Sequence, residues 1–212
     1  MPDDRSAATR RTLVDAALAT VAEQGIAKVS ARTIATRGGV NQALVFYHFG
    51  SVDGLLAEAC LVSTGERVAR YADDLAVVTT FAGLLDVAAR VQVEEREAGN
   101  VAVLAQMLAG SHGNPALADA VGRALALWTE AVRPVLDRLL AASPVGEVFD
   151  AATLTDLAAS AFVGLELMEP TRESPVAAGD ALVRLRPVAE LLDGLGPLAR
   201  RAVRGVLRSR ER

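Results

Sequence analysis

The stretch VSARTIATRGGVNQALVFYHFGSVDGLL, residues 29–56, decides the fold. Its spacing predicts two short helices joined by a glycine turn, then an aromatic cluster, then a third helix. Ser30 stands where a hydroxyl can accept from the freed N–H groups of a first helical turn. Ile34 and Ala35 give that helix an inward face. Gly38-Gly39 ends it, because glycine enters positive φ without a Cβ clash. Asn41 is placed to cap the second helix, and Val40, Val45 and Phe49 pin that helix to a core. Ala35, Gly39 and Val45 have helix-turn-helix spacing: a small residue at the crossing, a glycine in the turn, an apolar anchor beyond it. The second helix then keeps one face free, the geometry that enters a DNA major groove.

Upstream, Leu13, Ala16, Ala17 and Val21 recur at helical spacing and predict a helix over 5–24, stopped by Gly25. Downstream, Ser51 caps a long helix from about 53 to 71 that carries Leu55, Leu56, Ala59 and Val62 inward. Further helices are expected over 79–98, 101–109, 115–141, 153–169, 176–192 and 198–209. Glycine- and proline-containing breaks separate them: Gly99-Asn100, 110–113, 143–146, the 170–175 segment and 194–197. Pro115 suits a first helical position, and Pro134 is expected to kink its helix. The predicted class is all-α, with a three-helix head over 1–52 and a helical bundle over 53–212.

Composition agrees. The chain of 212 residues is 51% hydrophobic but only 4% aromatic, so its apolar mass is Ala, Val and Leu. Period-two β-branched runs are absent. No apolar run reaches the roughly 18 residues of a membrane span, and the first residues lack an apolar signal core, so no membrane partner is expected. A single cysteine, Cys60, rules out an internal disulfide and suits a reducing cytoplasm; in LAEACLV it reads as a small core residue. The net charge of −4 is unevenly spread. Residues 1–50 hold six basic and four acidic groups, residues 51–197 hold 10 and 21, and residues 198–212 hold six arginines against Glu211. A basic head on an acidic body is the layout expected when one end meets phosphate.

The segment resembles the DNA-binding domain of the tetracycline-repressor-like (TetR) family of bacterial regulators. The matching residues are Ser30, Arg32, Ile34-Ala35, Gly39-Val40, Val45-Phe46-Tyr47-His48-Phe49 and Leu55, about the first quarter of the chain. The resemblance implies a dimeric regulator whose helical body binds a small molecule. Two positions depart from the family pattern: Val52 stands where a phosphate-touching lysine is usual, and Phe46 where tyrosine is preferred.

Gln42 is the leading base reader, since its amide can pair with adenine N6 and N7; Arg32 matches a family arginine, and arginine suits guanine. Ala43 and Leu44 are expected to meet thymine methyl groups. Lys28, Ser30, Asn41, Tyr47 and His48 are candidates for phosphate contact. Phe46 and Phe49 read as core; His48 can pack on an aromatic and still donate to phosphate.

In the body, Phe81, Gln92, Gln106, Met107, Trp128 and Phe162 are candidates for lining an effector cavity, although such residues at helical spacing are also ordinary core. Glu166, inside AFVGLELM, is either buried against a ligand or partner, or sits at a helix edge in water. By resemblance, helices 153–169 and 176–192 form the dimer pair, with Ala158, Ala161, Gly164 and Leu165 allowing close approach. No metal is expected, because His48 and His112 lie near no ligand cluster. No cofactor is expected either, and no enzyme: phosphate-binding glycine loop, nucleophile elbow and Cys–His pair are all missing from the sequence. The expected partners are a palindromic double-stranded operator, a small, mostly lipophilic effector and a second copy of the chain. The alternative is a DNA-binding regulator controlled by a protein partner or lacking an effector.

Overall fold

A computed structural model describes residues 2–168 and 178–209, and every regular element among them is helical. In chain order these are α1 (Pro2–Gln24), α2 (Ala31–Gly38), α3 (Ala43–Phe49), α4 (Val52–Arg70), α5 (Ala72–Ala76), α6 (Phe81–Glu97), α7 (Asn100–Ser111), α8 (Pro115–Ala142), α9 (Ala151–Met168), α10 (Ala178–Asp193) and α11 (Pro197–Ser209). Short 3-10 turns occupy Ile26–Lys28 and Pro144–Glu147. The all-α expectation holds, and α8 continues through Pro134. The short α5 is additional to the sequence reading. The expected boundaries at 169 and 176, and the breaks between them, lie outside the described residues.

The chain divides into two compact units. The first comprises Met1–Arg67 with Glu95–Leu127, and the second Val68–Glu94 with Trp128–Arg212. In the first, Leu13, Ala17 and Val21 of α1 meet Ile34, Val45, Leu55 and Ala59, all essentially without solvent exposure. Met107 of α7 and Leu117, Val121 and Ala124 of α8 complete the same core. Val62, expected inward, is exposed; the buried stripe of α4 passes instead to Cys60 and Thr64. Burial pushes the Cys60 thiol up from its ordinary pKa, which keeps it protonated and unreactive.

The first unit also holds a partly buried ion pair, Arg67 with the buried Glu95 at 2.5 Å. Such a pair survives desolvation only when its remaining groups are bonded. Here Arg67 also donates to the Ser63 carbonyl at 3.2 Å and Thr64 Oγ1 at 2.8 Å, and Asn100 Nδ2 donates to Glu95 at 3.1 Å.

The second unit is built on Leu75, Val78, Val135, Leu136, Leu139, Leu140 and Ala151, with Phe81 and Leu84 packed against them. Two long-range polar contacts fix its loops. Asp193, at the end of α10, accepts the N–H groups of Phe81 and Ala82 at 2.9 Å each, and so caps α6 from another helix. Arg138 donates to the carbonyls of Leu75 and Val78 at 3.4 and 3.3 Å, closing the α5–α6 connection.

Candidate nucleic-acid interface

The head is set by local chemistry. Ser30 is extended, and its Oγ accepts from the Thr33 N–H at 3.1 Å. The Thr33 hydroxyl accepts in return from the Ser30 N–H at 2.9 Å, a reciprocal cap that fixes where α2 begins. Gly39 ends α2 at φ 64°, a left-handed conformation that costs a side chain free energy. Asn41 Oδ1 accepts from the N–H of Ala43, the first residue of α3, at 2.9 Å; the N-cap position itself is held by Gln42, one residue beyond the expected Asn41. At the far end of α3, Arg10 donates through Nε to Glu58 at 2.7 Å and through Nη1 to the His48 carbonyl at 2.8 Å. Its guanidinium lies 4.6 Å from the centre of the Phe49 ring, a cation–π contact. α3 is thereby held at both ends and from below by fully buried Val45.

What α3 leaves free is one face. Asn41, Gln42, Ala43, Phe46 and Tyr47 are exposed, with Lys28 and Arg32 exposed on the preceding segment. Phe46 is 53% and Tyr47 80% exposed, large values for side chains that could have packed inward. The expectation that Phe46 is core is overturned; Phe49 does pack against the core. Periodicity carried the signal, since Phe46 lies four residues beyond Gln42 and shares its face. Leu44 departs from its expected exposure, being half-buried against the core of the head. His48 is half-buried, with its ring edge-on to Tyr47 at 4.9 Å.

Charge pairing sorts the cations. Arg10 pairs with Glu58, Arg11 with Glu66 and with Asp15 at 3.0 Å, and Arg37 with Glu23. The Arg37 guanidinium also holds the exposed Glu23 carboxyl below its ordinary pKa. Among the described residues Lys28 and Arg32 carry no such partner, so their charge remains available to a polyanion.

The body candidates fall into two groups. Gln106 and Met107 belong to the first unit: Met107 is fully buried in its core, and Gln106 Oε1 accepts from the Ile26 N–H at 3.1 Å. Phe81, Gln92, Trp128 and Phe162 belong to the second unit. There Gln92 is buried, Phe81 and Phe162 are half-buried, and the half-buried Trp128 lies against Tyr71 with ring centres 5.9 Å apart. A depression of about 500 Å³ in this unit is lined by Val77, Val78, Thr80, Val87 and the ion-paired Asp74 and Arg90, none of them among the sequence candidates. On α9, Ala158 and Ala161 are exposed and Gly164 half-buried. The side chains of Leu165 and Glu166 lie outside the described residues. No group of three or more metal-ligating side chains occurs among the described residues.

Residues 13–59 match the family model described as bacterial regulatory proteins, tetR family. No curated protein matches the chain. Among solved structures, one assigned to the TetR-family transcriptional regulators, from Rhodococcus sp., aligns with TM-score 0.68 and 21% identity, covering 88% of this chain and 98% of that one. A transcriptional-regulator structure from Saccharomonospora viridis in complex with choline aligns with TM-score 0.69 and 20% identity, covering 87% and 96%. The multidrug binding protein EbrR complexed with imidazole aligns with TM-score 0.57 and 24% identity, covering 83% and 93%.

Proposed function

We propose that this chain is a DNA-binding transcriptional regulator of the TetR family, whose model matches residues 13–59, and that it acts as a ligand-responsive repressor. It binds a palindromic operator as a homodimer, through residues 1–52, and a small, mostly lipophilic effector releases it. Regulators of this family act by binding DNA and not by catalysis. The observation that carries the reading is the free face at α3, where Gln42, Ala43, Phe46 and Tyr47 are exposed beside Lys28 and Arg32, which have no ion-pair partner among the described residues. Gln42 offers the amide that matches adenine; the cations offer phosphate contact.

The rest of the chain, 53–212, carries dimerisation and effector binding in this reading. Leu157 on α9 and Val183, Leu185, Val188 and Leu191 on α10 are each more than half exposed, and their burial by a second copy would remove an apolar surface from water. Two copies give two heads, hence an operator with inverted-repeat symmetry. Effector binds the conformer whose head spacing does not fit the operator, and so draws the population off DNA. Action in the cytoplasm is part of this reading; no single helix among the described residues is long and apolar enough to cross a membrane.

The test is selection of bound sequences from randomised DNA, followed by mass measurement of the complex. The expected result is an inverted repeat bound by an even number of chains. A panel of neutral lipophilic compounds and of cations is then added; choline and imidazole, held by two structural relatives, belong in it. Release by neutral lipophilic compounds supports the reading. Release by cations alone replaces the effector class, and release by none moves the protein to control by a protein partner. Failure to enrich any sequence overturns the regulator reading itself.

A further inference from the structure

We infer that Gln106 and Gly110 of α7 are positioning residues for operator binding, holding Ile26 and thereby fixing where the helix-turn-helix begins. The inference rests on the operator-binding reading and concerns residues that touch no DNA in it.

The chain has little slack between α1 and α2. Gly25 turns it at φ 78°, Ile26–Lys28 form the 3-10 turn, and Ser30 already caps α2. The position of Ile26 therefore sets the position of the Ser30 cap and of everything that follows it. Ile26 is held twice by α7. Its N–H donates to Gln106 Oε1 at 3.1 Å, a partly buried contact between residues eighty apart in sequence. Its side chain sits in a notch made by Gly110: a Cβ added there would overlap Ile26 Cδ1 and stand 3.2 Å from Leu117 Cδ2. The Leu117 side of the notch cannot yield easily, since Leu117 is 1% exposed. A hydrogen bond fixes the backbone and a size match fixes the side chain, so a shift of α7 is transmitted to the start of α2.

The variants are Gly110→Ala, Ile26→Val, their combination, and Gln106→Leu. Alanine favours a helix over glycine, so Gly110→Ala does not weaken α7 itself. It is expected to bind the selected operator about tenfold more weakly, through the displacement of Ile26. Binding to random-sequence DNA, which rests on phosphate charge, is expected to stay unchanged. Ile26→Val removes the overlapping Cδ1 and, in the double variant, is expected to restore operator binding. Gln106→Leu removes the acceptor at similar volume and is expected to show the same selective loss; it decides the matter if Gly110→Ala does not fold. Operator binding equal to that of the parent in both single variants overturns the inference. So does failure of Ile26→Val to restore it, or parallel loss on random and operator DNA. Absence of any selected operator sinks the regulator reading and this inference with it; an operator bound alike by all variants sinks only the inference.

Discussion

Gln42, in helical conformation just ahead of the seven-residue α3, and Phe46 on that helix stand four residues apart, so a surface that meets one meets the other. Their chemistries differ. The amide of Gln42 has the donor and acceptor that match the adenine edge, whereas the Phe46 ring has no polar atom and can gain only from an apolar group. In the major groove that group is the thymine methyl. Gln42→Ala is expected to cost about 1–3 kcal/mol at one position per half-site and to relax specificity there. Phe46→Ala is expected to abolish discrimination between thymine and uracil at one operator position, a comparison that removes a single methyl. Binding profiles on randomised and uracil-substituted operators read both effects; an unchanged profile for either variant removes that residue from the base-reading face. The outward setting of Phe46 was legible in the sequence by period, since Val45 and Phe49 already fill the inward positions. Hydrophobicity pointed the other way and had less authority than the 3.6-residue repeat. Leu44 is the converse case, a residue of the first turn of α3 drawn half inside because the core of the head reaches that far.

At the scale of the element, starts and stops were readable wherever the cap is local. Ser30, Asn41 and Ser51 each accept from an N–H two or three residues on, as their sequence positions imply. Capping over distance left no trace in the sequence: Asp193 closes the start of α6 from more than a hundred residues away, and no pattern near Phe81 announces it. α5 was missed for a related reason, because five residues are too few to show a period. Asp150 permits a sharper test of local capping. Its carboxylate accepts from the Thr153 N–H at 2.7 Å and from the Thr153 hydroxyl at 3.1 Å at the start of α9. The Thr153 N–H holds its pKa below the usual carboxylate value. Because the folded-state pKa is depressed, the stabilisation is present above the ordinary aspartate pKa and is lost as pH falls through the lowered one. Asp150→Asn keeps a side-chain oxygen for the cap but has nothing to titrate. The expected outcome is a wild-type advantage in melting temperature near neutral pH that disappears in acid. An advantage that is constant with pH would show that the charge contributes nothing.

For the whole molecule, the question is what covers the exposed apolar side chains of α9 and α10. The sequence showed two amphipathic helices there and, through the resemblance, their use in pairing; it could not show that a single chain leaves them bare. Leu157 is 53%, Val188 56% and Leu191 68% exposed, on helices that otherwise bury Ala151, Thr155 and Ala189. Several large apolar side chains left exposed on helices with one buried side are a mark of an interface. Gly164 separates a pairing role from a folding role. Among the described residues a Cβ added there meets no atom within 4 Å, so the protomer itself leaves room for the start of a side chain. If α9 packs against its own copy, the same side chain enters the interface. Gly164→Leu is therefore expected to leave the melting of the helices nearly unchanged at low concentration while raising the dimer dissociation constant by tenfold or more, roughly the cost of overpacking a helix contact. Sedimentation equilibrium over a range of concentrations measures this. A parent protein that sediments only as a monomer removes the dimer. A Gly164→Leu dimer as tight as the parent's places the pairing surface on another face, and would direct attention to Leu198 and Val206 on α11, which are also exposed. Either result changes the expected operator: one head per chain without a partner reads a single half-site, and only a two-fold pair can require its inverted repeat.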